Sequence, residues 1–591
     1  MNKKNFIFLP LAGMLVACNP GANPETYEFV PDVLPDAAAE TISGLAQVST
    51  LTGTDDPDDE IANSTFDRTI SIVFSTSGSA VVSGDEKGIV SVSGNDVTVD
   101  NTKNKETIRY ELSGSTSDGF LKIYGSKKQA LVLNGVSITN PNGAAINNQC
   151  KKRCFVVVNG TNTLSDGASY TDTPDSEDEK AAFFSEGQLI FSGSGTLTVT
   201  AKGKAGITSD DYVRFLDAPT VKVQSSAGHG VRGKDAVIVS GGTIEASVSA
   251  AMKKGFSSDS LVRIEGGATT IKVTGGTALD EDGEYSGSSG IKADKAFEML
   301  SGSLTITNTG QGGKGISGDM DGWFQGGTVS VTVTGSNYGK SNNNGPGGGN
   351  SSSTTDNTVG AKGIKFDGNL WFSGADVLSR SSSHEGIEAK GTIVITGGSV
   401  YSASKDDAMN AGSHFLIAGG TVFAQSTGND GIDANGNCYL TGGTLYAIGS
   451  GSPEVAVDAN TEKGFKLYVV GGTLFSIGGL ESGASLVQAC YGISSWKGST
   501  LYALSDSKGA TLGCFKTPSS ASRLSLVVSG ADLKAVKAGV TSSGGTSWWD
   551  GTVITGGSAS GGSDATLSQY TSGNGFGPGG GPGGFGPGGR W

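Results

Sequence analysis

Residues 384–405 read HEGIEAKGTIVITGGSVYSASK, and the pattern then returns three more times. It recurs as DDAMNAGSHFLIAGGTVFAQSTG at 406–428 and NDGIDANGNCYLTGGTLYAIGSG at 429–451, then as EVAVDAN at 454–460 followed after a short break by FKLYVVGGTLFSIGG at 465–479. The Gly-Gly pairs fall at 397, 419, 442 and 471, so successive steps are 22, 23 and 29 residues. Each unit holds a short strand led by a small residue and an apolar one, an alternating apolar strand, a Gly-Gly turn and a third alternating strand. Three short strands and a turn in about 22–25 residues is the period of a parallel β-helix, in which each unit is one turn of a solenoid. An α-solenoid would need helical apolar spacing and far less Gly, Thr, Ser and Val. The fold class read from this stretch is all-β, a parallel β-solenoid.

Working outward, the pair that opens each unit can be followed along the chain. It occurs at Gly206-Ile207, Gly230-Val231, Gly255-Phe256, Gly290-Ile291, Gly315-Ile316, Gly363-Ile364, Gly386-Ile387, Ala408-Met409, Gly431-Ile432 and Ala456-Val457. The two long steps hold insertions, DEDGEYSGSS near 280 and SNYGKSNNNGPGGGNSSSTTDNT from 336, which become loops on one side of the solenoid. Residues 126–555 are assigned to the β-helix, on the order of fifteen coils in a rod of roughly 70 Å at the usual strand spacing. Alternating strands over 65–125 predict a β-rich cap covering the first coil, which an open sheet edge requires. Residues 19–60, rich in Pro, Ala, Asp and Glu, predict a tether, and the Gly/Pro-rich stretch 556–591 a flexible tail.

The first 18 residues, MNKKNFIFLPLAGMLVAC, have a basic start, an apolar core and small residues before Cys18, the pattern of an export signal. Leu15-Val16-Ala17-Cys18 resembles the bacterial lipobox, which implies lipidation of Cys18 and an outer-membrane lipoprotein, at the cell surface rather than on the periplasmic side. Export permits disulfides. Cys490 and Cys514 are 24 residues apart, about one coil, and Cys150 and Cys154 flank a Lys-Lys-Arg turn, but spacing leaves their pairing and that of Cys438 open. The net charge of −15 excludes nucleic acid as a natural partner. With three His in the chain, a His-based catalytic centre or zinc site has little to draw on.

Several segments together resemble one family: LVLNGVSITNPNGAAI, NTLSDGASY, SKDDAMNA, GNDGIDANG, ITGGSVY, AGGTVFA and the GGPGG-type tail. This is the bacterial carbohydrate-binding parallel β-helix family first described from cellulose-degrading clostridia, and the likeness covers roughly residues 70–480. It implies a right-handed parallel β-helix, bound calcium, and binding of plant-type polysaccharides including acidic ones, on a fold similar to that of pectate lyases.

Stacking the units turns sequence positions into columns. The residue before the opening pair runs Ala205, His229, Lys254, Ser289, Lys314, Lys362, Glu385, Asp407, Asp430, Val455. Two residues after its first member the column runs Thr208, Arg232, Ser257, Lys292, Ser317, Lys365, Glu388, Asn410, Asp433, Asp458. Both switch from basic to acidic between 365 and 385. Stacked carboxylates repel unless protonated or bridged, so Glu385, Glu388, Asp406, Asp407, Asn410, Asn429, Asp430 and Asp433 form the candidate calcium site; a solvated acidic edge is the plainer alternative. Lys314, Lys362 and Lys365 could meet uronate carboxylates, or simply solubilise the turns. Trp323, Trp371 and Tyr439 precede inward-facing residues and so point outward, a candidate platform for pyranose rings, with the second insertion expected beside them. For the file after the turn, Tyr401, Phe423, Tyr446 and Phe475, core stacking is the expectation. Lys405 beside Asp406-Asp407 is the one candidate general base, and adjacent carboxylates work against it.

The resulting expectation is a monomeric, lipid-anchored, calcium-containing protein that binds a polysaccharide, uronate-containing or not, without catalysing its cleavage. A calcium-dependent lyase and an adhesive structural solenoid are the alternatives.

Overall fold

The structure, a computed structural model, describes residues 29–573 apart from 48–50, 52, 54–55, 172–173, 175–176, 340–357 and 520–523. The signal segment with Cys18, most of the second insertion and the end of the tail lie outside the described residues. The rest is a parallel β-solenoid of about 14 turns. Each coil contributes an opening strand (Ile387–Ala389 in the quoted unit), a middle strand (Ile393–Ile395) and a closing strand (Ser399–Ser404). Each strand pairs in parallel with its counterpart one coil on, so that Ile387 lies beside Met409, Ile393 beside Phe415 and Val400 beside Val422.

Period-2 alternation decides what lies inside. Ile387, Ile393, Ile395, Val400 and their counterparts in neighbouring coils belong to one continuous buried core. Each such side chain contributes about 1.5–3 kcal/mol by leaving water. Rings stack up the axis within it, as between Phe324 and Phe372 at 4.8 Å. The glycine of the opening pair is there for room. A Cβ on Gly255 would stand 2.2 Å from Cγ2 of Ile271 and 2.6 Å from the carbonyl oxygen of Gly290. On Gly363 the corresponding contacts would be Ser379 Oγ at 2.1 Å and Gly386 O at 2.3 Å. Alanine enters this column at 408, where the equivalent closing-strand position holds the small residue Ala424.

At the amino-terminal end, Val81–Ser83 lies antiparallel on Arg68–Phe74, which pairs in parallel with Ile108–Thr116. At the other end, Leu526–Ser529 lies antiparallel against the last closing strand, Thr473–Ile477. The parallel coils therefore stop near 486, short of the expected 555. Residues from Leu501 to Asp564 form a six-stranded antiparallel sheet, with Thr546–Trp548 at one edge and Ser558–Asp564 at the other. Alternation alone does not distinguish parallel from antiparallel strands; the loss of the 22–25-residue period beyond 480 was the sign that coiling had ended. This sheet seals the file Phe423, Tyr446 and Phe475, which points away from the solenoid core into a second one. Ser558–Asp564 and Ser568–Gln569 are paired strands and Tyr570 is buried, so the packed chain runs past the expected tail boundary at 556.

The expected tether is mostly a strap. Asp32 donates its N–H to the Leu486 carbonyl at 3.0 Å, and its carboxylate accepts the Leu486 N–H at 2.7 Å. From there the chain runs back along the outer face of the middle sheet. Helix α1 (Asp36–Leu45) covers Val394, Leu416, Tyr439 and Tyr468. Leu51 exchanges hydrogen bonds with the Gln325 side chain at 2.7 and 2.9 Å. Asp59 holds Arg153 at 2.9 Å and Arg214 at 3.2 Å, and Ile61 and Phe66 pack on Ala130, Phe155 and Ile190. The five described cysteines are buried free thiols.

Gly255→Ala is expected to cost about 1–3 kcal/mol through overpacking. Gly44→Ala, in α1 with nothing within 4 Å of the added carbon, should instead stabilise by roughly 0.5–1 kcal/mol. Urea midpoints of the two variants check the pair.

Candidate functional site

The outer columns drawn from the sequence coincide with the register of the opening sheet. Lys254, Ser289, Lys314 and Lys362 are successive partners, as are Ser257, Lys292, Ser317, Lys365, Glu388, Asn410 and Asp433. An isolated bridge between Ile432 and Val457 continues the sheet, placing Asp458 next in line after Asp433. Strands about 4.8 Å apart bring these side chains within reach of one another.

Where the two signs meet, they neutralise each other. Lys362 Nζ lies 2.6 Å from Glu388 and 3.2 Å from Glu385. His384 Nδ1 contacts Glu385 and reaches Asp406 at 3.1 Å. Burial alone would lower the His384 pKa, but Asp406 and Glu385 override it and raise it to about 9. Lys365 turns to Asp367, and Lys292 to Asp319 and to Asp294 at 3.3 Å. Lys254 and Lys314 differ. Among the described residues neither has a carboxylate partner. Burial, reinforced by Lys253 and Lys292 around the first and by Lys365 and Lys362 around the second, pushes both down to about 8.

The acidic half is unbalanced in the opposite sense. The Asn410 amide donates to Asp407 at 3.0 Å and to Asp433 at 2.8 Å. The backbone N–H of Asp430 donates to Asp407 at 3.1 Å, and that of Val455 to Asp430 at 2.6 Å. Burial, then neighbouring carboxylates, raises Asp407 to about 7, Asp430 to about 8 and Asp433 to about 6. Asp458, desolvated and hydrogen-bonded to Glu481, rises to about 9. The eight residues of the candidate calcium site thus separate into two groups. Glu385, Glu388 and Asp406, with Asn429 donating to Asp406 at 3.1 Å, belong to the cation-balanced junction. Asp407, Asn410, Asp430 and Asp433 form an oxygen-only cluster with no lysine, arginine or histidine partner among the described residues. Three carboxyls beside an amide offer oxygen donors of the kind a hard cation such as calcium takes, while the ligand atoms that converge within 4.8 Å of one another at this junction are those of His384, Glu385 and Asp406.

Trp323 and Trp371 do form a stacked pair on the outer face of the middle sheet, 5.0 Å apart with planes 11° from parallel. Both are half-buried, with Trp371 against the edge of the cluster under α1. Tyr439 does not join them as a surface ring. It stacks on Tyr468 at 5.2 Å and is 1% exposed beneath the helix, an arrangement that a segment lacking β periodicity did not announce. The second insertion is also elsewhere. It leaves the end of a closing strand and returns ahead of an opening one, so its described ends stand on the lysine side. There Asn337 accepts the Ala361 N–H at 2.9 Å, and the Tyr338 ring lies tilted against Tyr285 of the first insertion, centroids 5.0 Å apart. Lys405 is exposed and forms no ion pair among the described residues. His384 and Glu481 were missed. For His384 the signal was present, since 384, 406 and 429 form another column one residue ahead of the acidic one.

Against known proteins, a family model described as carbohydrate-binding domain-containing protein matches residues 93–431. A solved structure, the polysaccharide lyase-like protein from C. thermocellum as a gadolinium derivative, is 22% identical. Their match covers 45% of this chain and 96% of that one, with a TM-score of 0.35. No curated protein matches.

Because Asp407, Asp430 and Asp433 titrate above the ordinary carboxylate value, the folded chain keeps protons that the unfolded chain releases. Their contribution to stability is therefore lost as pH rises from about 4 through 6 to 8. In the presence of a chelator, Asp430→Asn is expected to melt above wild type at pH 8. The gap should close toward pH 4, as followed by thermal melts across that range.

Proposed function

The chain belongs to the carbohydrate-binding domain-containing family, whose model spans more than half of it, and a polysaccharide is its partner; we propose that the ligand is an acidic, uronate-containing polymer bound with calcium. The observation that carries the acidic ligand is the contrast within one column of lysines. Lys362 has carboxylates of its own, while Lys254 and Lys314 stand half-buried without any, with Ser289 between them. A uronate carboxylate supplies the missing charge, and hydrogen bonds to a charged group are the stronger kind. The Tyr285–Tyr338 pair stands on the same side of the solenoid, offering a sugar ring an apolar face. Lys314 keeps its expected part, whereas Lys362 and Lys365, expected to meet uronate carboxylates, are paired with Glu385, Glu388 and Asp367 of the chain itself. Trp323 and Trp371 are the flanking platform.

Calcium is assigned to Asp407, Asn410, Asp430 and Asp433, which would supply it with carboxylate and amide oxygens. Its positive charge would relieve the repulsion among them and hold the last coils in register. The protein is further proposed to be an outer-membrane lipoprotein, anchored at Cys18 and facing the cell exterior, monomeric and non-catalytic. The sequence Leu15-Val16-Ala17-Cys18 supports the anchor. Lys405, the one general base that the sequence offered, is exposed and without an ion pair among the described residues, which supports reading the chain as a binder.

The test is a calorimetric titration with a short oligogalacturonate, with calcium and with chelator, while ultraviolet absorbance is followed for unsaturated products. Lys254→Met and Lys314→Met are each expected to weaken binding about tenfold, as loss of a charged hydrogen bond does. Calcium at one hundred times its dissociation constant should stabilise wild type by about 2.7 kcal/mol, and Asp430→Asn by much less. Undiminished binding by both lysine variants would sink the uronate reading, and rising absorbance the non-catalytic one.

A further inference from the structure

The outer face of the closing sheet ends in a step built of rings. Leu378, Tyr401, Phe423, Tyr446 and Phe475 are successive partners along that face. The C-terminal sheet seals the last three, but Tyr401 is half-buried, 5.6 Å from the half-buried indole of Trp549. Arg380 is exposed and holds its guanidinium 4.7 Å over the Tyr401 ring. Among the described residues it forms no ion pair. Trp549 is held at φ +49° and its neighbour Asp550 at φ +55°. A bulky residue rarely adopts that conformation, and the strain is carried where an indole is presented beside a tyrosine and an arginine. The Trp548 N–H is spent on Thr555 at 2.9 Å, whereas that of Trp549 has no protein acceptor among the described residues.

Toward the earlier coils the same face is lined with hydroxyls: Thr328, Ser330 and Thr332, then Ser303, Thr305 and Thr307 one coil before. A flat hydroxyl surface thus runs up to a wall of aromatic rings. Its charge is also unlike that of the lysine column. Arg380 shares its strand with Asp376, and Trp549 is followed by Asp550, so no excess of positive charge calls for an anion.

We propose that this step is a second glycan site, separate from the lysine column, which takes a neutral pyranose chain with equatorial hydroxyls. Such a ring presents the C–H bonds of its flat face to Trp549, beside a Tyr401 ring that already carries Arg380, and its hydroxyls accept from Arg380 and the Trp549 N–H. The proposal rests on the carbohydrate-binding reading, but not on an acidic ligand. Arg380 and Tyr401 fall within the family-matched residues 93–431 and Trp549 beyond them, so the C-terminal sheet completes the site.

The experiment titrates the full chain with cellohexaose and, separately, with oligogalacturonate, by calorimetry and tryptophan fluorescence. Cellohexaose is expected to bind without displacing oligogalacturonate. Trp549→Ala should weaken cellohexaose about tenfold and Arg380→Ala severalfold, with Trp549→Phe, which keeps the ring but loses the N–H, between alanine and wild type, and oligogalacturonate unaffected throughout. Arg380 is exposed, so its variant remains decisive if Trp549→Ala lowers the melting temperature. The proposal is overturned if both alanine variants bind cellohexaose like wild type, or if cellohexaose fails to bind while oligogalacturonate binds. Cellohexaose binding lost in these variants, with no oligogalacturonate binding at all, would uphold the step and remove the uronate reading. Silence toward both sugars overturns both.

Discussion

Successive coils approach one another so closely at the opening strand that the carbonyl oxygen of one glycine occupies the space a side chain on the preceding glycine would need. The distances from an imagined Cβ to the next carbonyl, 2.7 Å at Gly206, 2.6 Å at Gly230 and 2.5 Å at Gly315, leave no slack for a slipped coil. Register in a β-solenoid matters more than in an ordinary sheet, because every outward position becomes part of a column. A slip of one residue would turn each column into the core. The lysine and aspartate columns exist because glycine fixes where each coil sits on the one before it.

This explains which features were legible in the sequence. The fold, the coil boundaries from 206 to 457 and the membership of both columns follow from a local period, and local periods can be counted. What the sequence did not disclose depends on contacts between distant segments. The strap from Asp32 to Phe66 has no period of its own; its partners lie from Leu486 back to Phe155. Tyr439 was correctly placed on an outer face, yet only the strap decides that this part of the face is dry. Phe423, Tyr446 and Phe475, expected to stack in the core, lie on the outer face instead, and the antiparallel sheet after Leu501 makes outward mean buried. Columns also say which residues are neighbours, not which neighbours neutralise each other. That Lys362 is satisfied while Lys254 and Lys314 are not required side-chain positions.

Stacking like charges is costly, and the chain handles the cost unevenly. At the junction it mixes signs, with Lys362 and His384 set among Glu385, Glu388 and Asp406. On either side it leaves a surplus, cationic around Lys254 and Lys314 and anionic around Asp407, Asp430 and Asp433. A folded chain keeps such surpluses where something else supplies the counter-charge. The bulk figure of −15 conceals this, because it averages over a column whose sign changes along its length.

The strap also has a mechanical meaning. A bare solenoid is a one-dimensional stack that can fray from either end, each coil held only by its neighbours. Here one continuous segment touches the last coil at Leu486, passes α1 and Gln325, and reaches Arg153 and Phe155 near the first. Tension applied at the amino-terminal side would meet the Asp32–Leu486 hydrogen bonds first, then α1, then the buried Asp59 pair with Arg153 and Arg214. These would open one after another, as in a zipper, before any coil was pulled from its neighbour. The strap is therefore a series of fuses, and the coils are the last part of the molecule to come apart.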